Sequence, residues 1–245
     1  MYKRILTWPT IVIILVSSLN AFTAADLIKR YANLKEAIED ITAISDEEEN
    51  KIGNEMKKIL LEEHRQTTTT KFDIPAIFNR IKSQATRKKI KYEFFILKDD
   101  VFNAYAVAGG KIFLNIGLIN RLSTEDEIAF VIAHEIAHVE LKHCIKAIQY
   151  TAKARQIDPR LGDVVQIGYS IYRRAFSKQQ EREADELGVP LMMKAGYKKS
   201  GAVSFYRTLE KYEPKYSDPT LQTYNDFISS HPTAKERRER IEKMK

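Results

Sequence analysis

Five residues restrict this chain more than any other feature: His134-Glu135-Ile136-Ala137-His138, set inside an apolar run from Ile128 to Val139. Thr124 with Glu127 three residues on is a capping-box signature, and Glu125, Asp126 and Glu127 suit the positive end of a helix dipole. The segment therefore reads as a helix, one that could run past Tyr150. Ile128, Ala129, Val131, Ile132, Ala133, Ile136, Ala137 and Val139 make it apolar on nearly every side, the mark of a buried helix. Two imidazoles and a carboxylate are costly in such a place unless each has a partner. Residues four apart lie about 40° from each other round an α-helix, so His134 and His138 share one face and can grip a single Zn2+ ion. Glu135 is turned about 100° from His134, beside the metal rather than on it, where a general base acting on water would stand.

Two histidines leave such a site incomplete, because a catalytic zinc takes a third protein ligand and keeps a position open for water. The segment Glu181-Arg182-Glu183-Ala184-Asp185 offers two acids four apart on one helix face. Glu181 is the expected third ligand, and Asp185 the acceptor that orients a ligand imidazole. Ala184, near the same face, is small enough for close helix approach, whereas Glu183 and Glu186 fall off that face. His143 lies about 180° round a continuous helix from His134, so it is expected to point away from the metal, in a surface or packing role.

The remaining composition excludes more than it assigns. The 245 residues are 44% hydrophobic and 30% charged, ordinary values for a folded domain, and the net charge is +7. The basic residues of the Lys235 to Lys245 run alternate with Glu236, Glu239 and Glu242, which reads as a solvated helix end rather than a nucleic-acid surface. A contribution to peripheral association with an anionic membrane stays open. The single cysteine, Cys144, excludes an intrachain disulfide and is expected to be a buried structural thiol.

Residues 1–25 have the layout of a secretory signal: Lys3 and Arg4, an apolar centre from Ile11 to Leu19, then Thr23-Ala24-Ala25 as a small-residue cleavage site. The expectation is an exported protein, in a periplasm, with residues 26–245 as one domain; an uncleaved membrane anchor is the alternative. From Asp26 to about His64 the apolar spacing is helical, with Ser45 and Glu48 as a second capping box; the Thr67–Thr70 run, followed by Pro75, reads as a break or loop, and Ile77 to Lys89 as a further amphipathic helix. Tyr92 to Leu97, Asn103 to Val107 and Lys111 to Ile116 read as strands, the last two a hairpin around Gly109-Gly110. A helix from Ile167 to Leu187 is expected to stop at Gly188 and Pro190, and helices divided by Pro214, Pro219 and Pro232 follow. The fold class is thus α+β, mostly helical, with a small antiparallel or mixed sheet beside the His134–His138 helix.

Taken together these motifs resemble peptidase family M48, whose members are zincin-like metallopeptidases with a glutamate as third ligand. The resemblance runs through the acidic helix Ser45 to Gly53, the Asn103 to Gly110 stretch, the strand Lys111 to Leu118, and Ser177 to Gly188, where Lys178 stands in place of the family's arginine. It also takes in His231-Pro232-Thr233-Ala234-Lys235-Glu236-Arg237. By itself His231 before a proline reads as a turn residue. The resemblance implies instead that His231 faces the active site, to contact substrate, stabilise the oxyanion or cap a resting zinc, with Arg237 (or Arg240) as its partner. It further implies a zinc endopeptidase that holds an extended peptide along Asn103, Ala104, Tyr105 and Ala106, with unfolded, misassembled or outer-membrane proteins as substrates. An envelope chaperone or scaffold with latent protease activity is the alternative.

Overall fold

The computed structural model describes residues 44–154, 176–212 and 233–244. The segment assigned to export, the first part of the helix predicted from Asp26, Pro159, the first part of the helix predicted from Ile167, Pro214, Pro219, His231 and Pro232 lie outside these residues. All described residues belong to a compact unit formed by residues 44–245.

Both capping boxes form. Ser45 caps α1 (Asp46–Glu63) and Thr124 caps α4 (Glu125–Glu140), each side chain meeting the N3 backbone while the N3 glutamate reaches back. The break expected at Thr67–Thr70 is there, a non-helical stretch between α1 and the next helix, and Pro75 marks its end. This proline occupies the first turn of α2 (Ile74–Lys82), where its missing N–H costs nothing, and Asp73 caps that turn by accepting from the Ala76 N–H at 3.0 Å.

Three strands follow: β1 (Glu93–Leu97), β2 (Ala104–Val107) and β3 (Lys111–Asn115), in the order β1-β3-β2. β3, buried along its whole length, pairs parallel with β1 and antiparallel with β2, so the sheet is mixed. The predicted hairpin closes through Ala108–Gly110, where Gly109 takes φ 68° and a side chain would strike the Glu49 carbonyl. β2 is an edge strand. In its register Tyr105 faces Phe113 and Val107 faces Lys111, and the Asn103 carbonyl accepts from the Asn115 N–H at 3.1 Å. Odd-numbered residues therefore turn their backbone groups to β3, and Ala104 and Ala106 turn theirs outward.

After α3 (Ile116–Arg121) comes α4, the centre of the molecule, with every residue from Glu127 to Val139 buried. It does not run past Tyr150. It ends at Leu141, Lys142 takes the left-handed conformation (φ 61°), and α5 (His143–Ala154) begins in a new direction. A lysine costs more there than a glycine, so tertiary contacts impose the turn. α6 (Lys178–Lys194) begins at a Ser177 cap and continues through Pro190 rather than stopping before it. Gly188 does not end the helix. A side chain there would meet the His134 backbone at 3.1 Å, so its bareness lets α6 lie directly against α4. α7 (Lys199–Tyr212) and α8 (Ala234–Lys243) complete the helical layer.

Two apolar clusters hold these elements. The larger joins α2, β3, α4, α6 and α7; the smaller joins α1 to the sheet and α5 through Met56, Leu60, Phe113 and Ile148. Charge braces the junction of α1, α4 and the hairpin. Buried Glu49 accepts from the Gly109 N–H at 3.1 Å and pairs with Arg87, which also donates to the Val139 carbonyl at the end of α4. Glu140 accepts from the backbone N–H groups of Thr86 and Arg87 and from the Tyr92 hydroxyl.

Candidate metal centre

One turn of α4 brings His134 and His138 together, their Nε2 atoms 3.0 Å apart, and α6 presents Glu181 across the interhelical contact. Its Oε2 lies 3.3 Å from His134 Nε2 and its Oε1 3.8 Å from His138 Nε2. Four-coordinate zinc with ligands at about 2.0–2.1 Å spaces them by about 3.3–3.4 Å, so these three atoms fit round one ion. Among the described residues, His134, His138 and Glu181 form the one group able to hold a metal in this way.

Asp185, the second acid of the pair, is fully buried behind His134. Its Oδ1 lies 3.2 Å from His134 Nδ1, near enough to attract the ring although that nitrogen is not aligned for a formed hydrogen bond. The same carboxylate accepts from Tyr206 Oη at 2.8 Å, from Arg237 Nε at 2.9 Å and from Arg240 at 2.5 Å. Arg237 also reaches Glu181 Oε2 at 2.7 Å and comes within 3.4 Å of His134 Nε2. The basic run at the C-terminal end is therefore not simply solvated, since α8 turns Arg237 and Arg240 inward.

The charges follow from this packing. Burial opposes ionisation of Glu181 and Asp185, but the Arg237 guanidinium and the His134 imidazole hold both carboxyls well below their usual range. Burial lowers His134, yet Asp185 and Glu181 more than compensate and bring it to about 9. His138 is pushed down by burial and by the neighbouring His134. Glu135, beside the histidines and nearly enclosed, is raised by burial to about 7; the His134 charge and the Ala106 backbone on β2 moderate the shift. The Cys144 thiol is buried, raised by desolvation, and donates to the Ala106 carbonyl at 3.5 Å.

His143 departs from expectation. The break at Lys142 swings it back, and its Nδ1 stands 2.9 Å from His138 Nδ1. Its Nε2 meets Glu183 Oε2 at 3.1 Å, so Glu183, off the metal-facing side of α6 as expected, holds His143 instead. Phe176 stacks on the His138 ring with centroids 4.0 Å apart. Sequence reasoning missed Tyr206, which carries no motif; a tyrosine on the apolar side of an amphipathic helix is its only trace. Lys178 is exposed on the first turn of α6.

A pair of histidines four apart on a buried helix, an acid from a crossing helix and a glutamate beside them on an α+β scaffold define the zincin class of metallopeptidase. The match to known families is more specific: Peptidase family M48 covers residues 69–245, and the chain belongs to that family. Individual relatives are distant. It is 26% identical to the mitochondrial metalloendopeptidase OMA1 of Schizosaccharomyces pombe over 179 residues, 69% of this chain and 51% of that one. It is 25% identical to the beta-barrel assembly-enhancing protease of Escherichia coli K12 over 176 residues, 64% of this chain and 35% of the relative. To the metalloprotease LoiP of the same strain it is 27% identical over 180 residues, 69% and 68% of the two chains. The chain thus spans about half, or less, of the first two relatives' length. No helix among the described residues is long and apolar enough to cross a membrane.

Proposed function

We propose that the protein is a zinc-dependent endopeptidase, with His134, His138 and Glu181 as metal ligands and Glu135 as general base. The observation that carries this reading is the meeting of three ligand atoms at zinc spacing beside a buried carboxyl raised to about 7. Zinc bound there would acidify a water and polarise a peptide carbonyl. Glu135 accepts the water's proton and returns it to the leaving amine. Arg237, fixed by Asp185 and Glu181 beside the site, offers positive charge to the oxyanion. His231 is proposed to assist there from outside the described residues.

Substrate backbone pairs with the outer edge of β2. Ala106 already serves Glu135 and Cys144, so Ala104, whose backbone groups also turn away from β3, is the pairing residue, flanked by Asn103 and Tyr105. Recognition of this kind reads backbone and suits unfolded or misassembled envelope proteins, in keeping with the E. coli relative, a beta-barrel assembly-enhancing protease. Export to the periplasm through residues 1–25 completes the reading. A chaperone without cleavage has no use for a buried, proton-accepting Glu135.

The test is cleavage of unfolded casein by the zinc-loaded protein, with and without a chelator, beside Glu135→Gln. The variant is expected to bind zinc normally and lose about 10²-fold or more in turnover. Full turnover by a zinc-loaded variant would remove Glu135 from the mechanism, and chelator-insensitive cleavage would remove the metal.

A further inference from the structure

His138 reaches the centre through Nε2, the atom 3.0 Å from His134 Nε2 and 3.8 Å from Glu181 Oε1. A neutral imidazole that offers its Nε2 lone pair carries its proton on Nδ1, and this proton needs an acceptor in a site shut off from water. The atom facing it is His143 Nδ1 at 2.9 Å. His143 must then present a lone pair at Nδ1 and keep its own proton on Nε2, where Glu183 Oε2 waits at 3.1 Å. The other oxygen of Glu183 accepts from Gln179 at 2.8 Å, one helical turn earlier. Donors and acceptors match along this chain in one direction only. Phe176, stacked on His138, adds a wall that keeps the ring in its plane.

We propose that His143 is a positioning residue for the metal: it accepts the His138 Nδ1–H and, anchored by Glu183, sets the tautomer and ring orientation in which His138 offers Nε2. The two ligand histidines are thereby supported differently, His134 by a carboxylate and His138 by a second imidazole. This rests on the reading of His134, His138 and Glu181 as ligands. Partners of this kind change metal affinity by about 10–100-fold when lost.

Zinc affinity, measured by competition with a chromophoric chelator, and the visible absorption of the cobalt-substituted protein test the proposal. His143→Leu is expected to weaken zinc by about 10–100-fold and to alter the cobalt spectrum. His143→Asn keeps an acceptor near the Nδ1 position and should restore most of the affinity, which a purely packing role would not predict. Glu183→Gln, at a partly exposed position, should give a smaller loss in the same direction and carries the test if His143→Leu fails to fold. Wild-type affinity and spectrum in His143→Leu, or in Glu183→Gln should the former not fold, would overturn the proposal, as would equal losses in the Leu and Asn variants. His138→Ala separates the two readings: retained tight zinc there overturns the ligand assignment itself, whereas lost zinc beside an unaffected His143→Leu overturns only the role of His143.

Discussion

Asp185 accepts from Tyr206, Arg237 and Arg240 and faces His134, all from a position closed to solvent. Asparagine would keep the shape and remove the charge that two guanidiniums share. Breaking a buried pair from one side costs about 3–5 kcal/mol, because the partner charge stays behind. Asp185→Asn is therefore expected to lower stability by about that amount in urea unfolding and to weaken zinc as well, since the negative charge that attracts the His134 ring is lost. At this scale the sequence was most legible where one helix carries the whole pattern. The four-residue steps from His134 to His138 and from Glu181 to Asp185 needed only helical geometry. Tyr206 and the inward turn of Arg240 depend on which helix lies opposite, and no local spacing encodes that.

Elements were legible where a cap or a breaker marks them, and less so where tertiary contact decides. The boxes at Ser45 and Thr124 form as read. The break at Thr67–Thr70 ahead of Pro75 forms and α2 opens after it, whereas Gly188, read as a stop, lies inside α6. Proline is harmless in a first turn, and a glycine can be required by a neighbour rather than by its own φ. Gly188 gives a direct test of the second point. In Gly188→Val the new side chain enters the space held by the His134 backbone, so α4 and α6 must part. Overpacking of this sort costs about 1–3 kcal/mol. A lower melting temperature together with weaker zinc binding is expected, because the same displacement separates Glu181 from the histidines. An unchanged zinc affinity would show that the two helices do not set the ligand spacing.

For the molecule as a whole, Glu140 links the end of α4 to the segment that leads into β1. Burial works against its charge, but the Thr86 hydroxyl, the Tyr92 hydroxyl and the backbone N–H groups of Thr86 and Arg87 hold its carboxyl below the usual 4.5. A carboxyl depressed in the folded state stabilises the protein above its unfolded pKa and loses that contribution as pH falls through the folded value. The native protein should therefore lose stability below about pH 4.5, and Glu140→Gln should be the less stable at pH 7 with a flatter acid limb. Unfolding free energies across pH 3–7 check this: the gap between the two proteins should close at the acid end, and a gap independent of pH would contradict it.

The left-handed turn at Lys142 also makes a ruler of the chain. On an unbroken helix, residues five apart stand about 140° from each other, and His138 and His143 could never meet. One residue in the wrong half of conformational space cancels that rotation and puts the two rings edge to face. The distance from His138 to His143 thus carries meaning only together with the break. Adding or deleting one residue between them would send the second imidazole to another side of the molecule, however well the rest of the chain folded.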